Sequence, residues 1–184
     1  MKYLLLLLVV ISSSVSAGEY DNSYVSINVY DKASGLYYRA VQDLSEGGGF
    51  LSSSSNVVTN INIFDPVTST SRLLFKNPQK GGISPLLFES EIKDKQVTFD
   101  GTATFLAFNN SDIKRTELKN KLLVGVRNQE TKTTTLFIAD KNGSNLKQLT
   151  IVPPNTDWHI DVKNSKIRVV RKLENNVRID SYDW

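Results

Sequence analysis

The feature that most limits what this chain can fold into is a hairpin that recurs. Val29-Tyr30-Asp31-Lys32-Ala33-Ser34-Gly35-Leu36-Tyr37 reads as a strand, an Asp-led turn and a second strand. The same order returns in Ile63-Phe64-Asp65-Pro66-Val67-Thr68-Ser69-Thr70 and in Phe137-Ile138-Ala139-Asp140-Lys141-Asn142-Gly143-Ser144-Asn145-Leu146. Weaker copies stand at Phe99-Asp100-Gly101 and Ile179-Asp180, and the five Asp positions are separated by 34, 35, 40 and 40 residues. An Asp at this place accepts hydrogen bonds from backbone N–H groups two residues on, while Gly or Asn takes the positive φ of the turn. One small antiparallel sheet cannot bury both faces alone, so units repeated at this period pack face to face with their neighbours. The chain is therefore expected to be all-β, built of antiparallel hairpin repeats in a small or incomplete β-propeller-like arrangement. Because the period is irregular, a β-sandwich or another curved antiparallel sheet is the alternative.

The remaining pattern agrees. Short alternating or apolar runs bounded by Gly, Asn, Asp, Pro or Ser predict strands near Tyr24–Tyr30, Leu36–Val41, Val57–Phe64, Arg72–Phe75, Ser84–Glu91, Gln96–Phe99, Thr104–Phe108, Lys121–Arg127, Thr134–Ala139, Leu146–Thr150, His159–Val162, Lys166–Leu173 and Asn176–Tyr182. Their apolar faces nominate Val29, Ile61, Ile63, Leu74, Leu87, Phe99, Phe105, Leu123, Val124, Phe137, Ile138, Leu149, Trp158, Ile167, Val169 and Ile179 for the core. Only Ser111–Asn120 reads as helical, with Asp112 as cap and Ile113 and Leu118 as a thin apolar face. Gly47-Gly48-Gly49 lacks the Lys-Ser/Thr of a phosphate-binding loop and reads as a linker.

Residues 1–17 have the layout of a secretory signal peptide. A short basic start at Lys2 precedes an apolar run from Leu4 to Ile11, and Val15-Ser16-Ala17 places small or apolar residues at the cleavage positions. Residues 18–184 then form a single all-β domain, periplasmic or secreted. No second long apolar run follows, so stable membrane insertion through a helix is not expected. The chain has no Cys, which excludes disulfides and thiolate chemistry, and an exported domain of this kind must rely on its core. The formal charge of +3 comes from 22 basic against 19 acidic residues scattered along the chain, which does not argue for nucleic acid.

No catalytic set can be read. His159 is the one histidine, with Asp157 and Asp161 near it. On a strand Trp158 and Ile160 face the core while His159 and Asp161 share the outer face. No Gly-x-Ser-x-Gly nucleophile elbow accompanies them. Glu89 and Glu91 read as neighbours on one face of an exposed strand rather than as a glycosidase pair. The Asp140–Asn145 turn lacks Gly at the sixth position and an acid at the twelfth, as a calcium loop would require. Hence no catalytic, metal or cofactor-binding residue is assigned, and no cofactor is expected.

Leu136-Phe137-Ile138-Ala139-Asp140-Lys141-Asn142-Gly143-Ser144-Asn145-Leu146-Lys147-Gln148-Leu149-Thr150 resembles the PD40 repeat of TolB-like β-propellers. In that family such a stretch supplies the two outer strands of a blade, and the next repeat opens with Trp-Ser-Pro-Asp-Gly. Here Pro153-Pro154-Asn155-Thr156-Asp157-Trp158 stands nearby in a different order. The resemblance implies a non-catalytic binding or scaffold module of the bacterial cell envelope that makes protein–protein contacts. The alternatives are a small-ligand-binding protein or hydrolase with His159 as first suspect, and an outer-membrane β-barrel. The barrel conflicts with the C-terminal alternation, where Asn176, Arg178 and Asp180 share the phase of the aromatic end. Open sheet edges in an incomplete propeller further predict a tendency to form homodimers.

Overall fold

In a computed structural model of the chain, residues 28–42, 57–102 and 107–184 are described. The expected signal peptide, the Gly47–Gly49 linker and the core candidate Phe105 lie outside these residues. The described residues form β1 (Asn28–Asp31), β2 (Leu36–Gln42), β3 (Val58–Asp65), β4 (Thr70–Leu73), β5 (Gly82–Lys93), β6 (Gln96–Gly101), β7 (Leu122–Arg127), β8 (Thr134–Ala139), β9 (Lys147–Val152), β10 (Asp157–Asp161), β11 (Lys166–Leu173) and β12 (Asn176–Asp183).

All ladders between these strands are antiparallel. The first sheet is the meander β1-β2-β3-β4, the middle sheet has the order β6-β5-β7-β8-β9, and the third is β10-β11-β12. None of the three closes into a barrel. The architecture is thus an all-β set of hairpin sheets, consistent with an incomplete propeller-like or curved-sheet fold.

The middle sheet is buried on both faces. On β7, Leu122 and Val124 join a core shared with Leu36, Tyr38, Ile61 and Ile63 of the first sheet. Leu123, between them, joins a second core with Ile160, Ile167 and Val169 of the third sheet. β8 alternates likewise, with Leu136 and Ile138 in the second core and Ala139 in the first. This is why Leu122-Leu123-Val124 is a continuous apolar run rather than an alternating one. At about 25 cal/mol per Å² of apolar surface, each such buried Leu contributes about 2 kcal/mol.

Four hairpins share one turn. An Asp or Asn opens it and accepts a backbone N–H two or three residues on: Asp31 from Ala33, Asp65 from Val67, Asn128 from Glu130 and Asp161 from Asn164. Four residues after each opener the chain takes a positive φ, at Gly35, Ser69, Lys132 and Ser165. Asp140 uses a different loop, in which Gly143 N–H donates to its carbonyl and Gly143 and Asn145 carry the positive φ values.

Several expectations are corrected. Asp100 and Asp180 lie within β6 and β12 and open no turn. Residues 111–120 form an irregular segment, not a helix. Asp112 sits at φ 56°, unlike the extended conformation of an N-cap, and Ile113 N–H donates to Lys95 O instead of starting a helical ladder. Ile179 is 56 % exposed, because it occupies the outward phase of an edge strand. Glu89 is fully buried. The ladder shifts at Ser90, so Glu89 pairs with Phe99 and Glu91 with Thr98, and the two carboxylates face opposite sides.

Candidate binding surface

Two buried charged residues, Lys141 and Glu89, tie distant segments together. Lys141, at the turn after β8, pairs with Asp31 of β1 at 2.8 Å and donates to Glu89 O of β5 at 2.7 Å. Its carbonyl accepts from the Tyr38 hydroxyl at 3.1 Å. Burial, then the Asp31 charge, push the Tyr38 phenol far up, so it stays a donor. On the opposite face of the middle sheet the Glu89 carboxylate accepts from Arg115, from Lys119 N–H and from the Trp184 indole N–H. A carboxylate taken out of water needs such donors to remain in a core. These contacts use the Glu89 oxygens as a structural tie between β5, the 111–120 segment and the C-terminal residue.

His159 lies on the outer face of the third sheet, as the alternation predicts, with its ring 4.3 Å from that of Phe108. Its cross-strand neighbour is Arg168, which in turn faces Ser181. Arg168 therefore stands between the histidine and the hydroxyl, and donates to Ser181 Oγ. Asp161 is occupied by Asn109, Asn164 and Arg168. Burial works against its charge, but these hydrogen bonds outweigh that and bring its pKa down to about 2. Asp157 pairs with Lys172. Arg168 is thus the group hydrogen-bonded to both Ser181 and Asp161 on this face. Asp140, in the calcium-like turn, is taken by Lys121 and Asn145.

Three concavities on the described surface are of modest volume. One beside Leu36, Arg72 and Asn142 holds about 230 Å³, another beside Pro153 and Thr156 about 240 Å³, and a third beside Ile113 and Val162 about 290 Å³. Pockets for drug-sized ligands run about 300–1,000 Å³.

The outer face of the first sheet has a different character. Register places Tyr30 opposite Tyr37, Tyr37 opposite Phe64, and Phe64 opposite Ser71. The three rings form a ladder across β1, β2 and β3, with centroids 4.5 Å and 6.3 Å apart. Tyr30 is 43 % and Phe64 36 % exposed. The adjoining row is Asn28, Arg39, Asn62 and Leu73, the last 49 % exposed. These two rows carry a single charge, that of Arg39, and no carboxylate. The inward residues of the same strands, Leu36, Tyr38, Ile61 and Ile63, are all in the core. Aromatic side chains with an arginine at the margin are the residue types enriched in protein interfaces.

None of these ladder residues is a sequence-derived site candidate. The available signal is local: Tyr30 and Phe64 each precede a turn-opening Asp, and Tyr37 follows the turn at the paired position. Aligning the two hairpins on Asp31 and Asp65 puts Tyr30 and Phe64 at the same place in the unit. Compared with protein-family models, curated proteins and solved structures, the chain matches none.

Proposed function

We propose that the chain is an exported, non-catalytic binding or scaffold module of the bacterial cell envelope, and that it docks a protein partner on the outer face of its first sheet. The observation that carries this reading is the ladder Tyr30–Tyr37–Phe64, where aromatic area is held by sheet pairing and the two described cross-strand rows carry no carboxylate. Rigid aromatic anchors lose little conformational freedom on binding, which is why a few of them dominate an interface. Arg39 at the margin favours a partner segment that is apolar with acidic flanks. Export rests on the residue order of Met1 to Ala17, and the envelope setting on the resemblance of residues 136–150 to TolB-like repeats.

The test is crosslinking in cells with a tagged, exported chain, set beside a Tyr30→Ser/Phe64→Ser twin. Both substituted side chains are exposed, so the twin keeps the fold, as circular dichroism and thermal melting would verify. The reading expects one reproducible envelope protein, with capture reduced at least about tenfold in the twin, since anchor residues contribute about 2 kcal/mol or more each. Equal capture by both chains, or capture of nothing by either, would overturn it.

A further inference from the structure

The edges of the three sheets differ in how they are guarded. Edge strands expose unpaired N–H and C=O groups, and proteins limit self-pairing by making them short, bulged or covered. β1 and β4, at the edges of the first sheet, have four residues each. In the middle sheet the β5–β6 ladder shifts at Ser90 and the β8–β9 ladder shifts at Leu149. In the third sheet, Phe108 bridges Asp161 beside β10. β12 is not short, bulged or covered among the described residues; the guard it carries is charge, from Arg178, Asp180 and Asp183. It has eight residues, contains no Pro, and pairs with β11 without a register shift from Asn176 to Asp183.

β12 is also complementary to itself. Two antiparallel copies related by a two-fold axis perpendicular to the sheet keep their outer faces on the same side only when the axis falls on a residue. An axis on Arg178 would oppose Arg178 to its own copy, and one on Asp180 would oppose two aspartates, each a like-charge pair. An axis on Ile179 opposes Ile179 to Ile179, Arg178 to Asp180 twice, and Val177 to Ser181 twice. Ile179 is 56 % and Val177 51 % exposed, both on the outer face. The Arg178 side chain is 68 % exposed and already reaches Asp180 within its own chain at 2.8 Å, while Arg171 holds the other Asp180 oxygen, so each Arg178 of the dimer would face an Asp180 of the second copy within one network.

We infer that the chain forms a symmetric dimer by antiparallel pairing of β12 with β12 of a second copy about Ile179, giving a continuous sheet β10-β11-β12-β12-β11-β10. This surface lies on the third sheet, away from the aromatic ladder, and the inference does not rest on the proposed docking face.

Since the chain contains no Cys, single cysteines report the register directly. Facing residues of an antiparallel pair have Cα atoms about 4.5 or 5.5 Å apart, both within the range of about 4.4–6.8 Å that a disulfide spans. Ile179→Cys, treated with copper–phenanthroline and oxygen, is expected to convert to a disulfide-linked dimer. Val177→Cys, which would face Ser181, is expected to stay uncrosslinked. Light scattering of the unsubstituted chain at tens of micromolar should give the dimer mass, and Ile179→Lys, at an exposed site, the monomer mass with an unchanged circular dichroism spectrum. A monomeric unsubstituted chain, a dimer that survives Ile179→Lys, or equal crosslinking at 177 and 179 would each overturn the inference.

Discussion

Lys141 Nζ lies 2.8 Å from Asp31 Oδ2, with the two side chains 5 % and 0 % exposed. The pair joins the first hairpin of the chain to the turn after β8, two segments far apart in sequence that meet between the first and middle sheets. Asp31 has two duties, because it also accepts from Ala33 N–H and Ser34 Oγ in its own turn. Removing one member of a buried ion pair strands the other charge and costs about 3–5 kcal/mol. Asp31→Ala should therefore lower unfolding stability by about that amount in urea titration. Asp31→Asn/Lys141→Met should cost less than the sum of its single substitutions, because contacting residues couple. Strict additivity would contradict the direct pairing.

The acid limb of the stability curve should carry a contribution from Asp161. Its carboxyl is held at about 2 in the fold against 3.8 ordinarily. A depressed pKa stabilises the fold above the unfolded value, and that stabilisation is lost as protons bind on the way down. The contribution is fully present above about pH 5 and disappears between about pH 4 and pH 2, amounting to about 2 kcal/mol. Asp161→Asn should flatten the pH dependence in that window, as measured by urea unfolding at a series of pH values. An unchanged slope would contradict the assignment.

Two glycines with positive φ should answer differently to alanine. At Gly35, φ is 76° and a Cβ would meet nothing within 4 Å, so Gly35→Ala should cost only the left-handed strain of about 1–2 kcal/mol. At Gly101, φ is 141° and a Cβ would stand 1.8 Å from Leu86 O, a backbone atom of the neighbouring strand β5. Gly101→Ala should displace β6 or abolish folding. Thermal melting of the two variants separates the cases, and equal losses would contradict the difference in packing.

The hairpin grammar was legible in the sequence where an Asp opener with apolar flanks recurred at the spacing of 34 to 40 residues. Asp31 and Asp65 accept the backbone N–H groups that grammar expects, although Ser69 rather than Gly or Asn takes the positive φ after Asp65, and the alternation of Trp158 and Ile160 with His159 places each on its expected face. Asn128 and Asp161 open the same turn, with Lys132 and Ser165 at the positive φ as Ser69 is after Asp65, but neither falls on the spacing of positions 31, 65, 100, 140 and 180 that made the repeat visible. Asp180 and Asp100 resembled turn openers, yet long-range contacts decide their state: Asp180 is drawn into ion pairs with Arg171 and Arg178 on a strand. Glu89 was the least legible. Its burial depends on donors from residues 115, 119 and 184, which no local pattern connects to β5. The aromatic ladder was hidden for a related reason, since its three rings meet only when the pairing of β1, β2 and β3 is known.

The most direct test of the proposed docking face replaces Phe64 with a photo-crosslinking phenylalanine analogue in the exported chain, and Leu173 in a second chain. Leu173 is 56 % exposed at the far end of β11 and lies off the aromatic ladder. Irradiation in cells should give one discrete adduct with an envelope protein from position 64 and none of that size from position 173. No adduct from position 64, or the same adduct from both positions, would contradict docking through the Tyr30–Tyr37–Phe64 face.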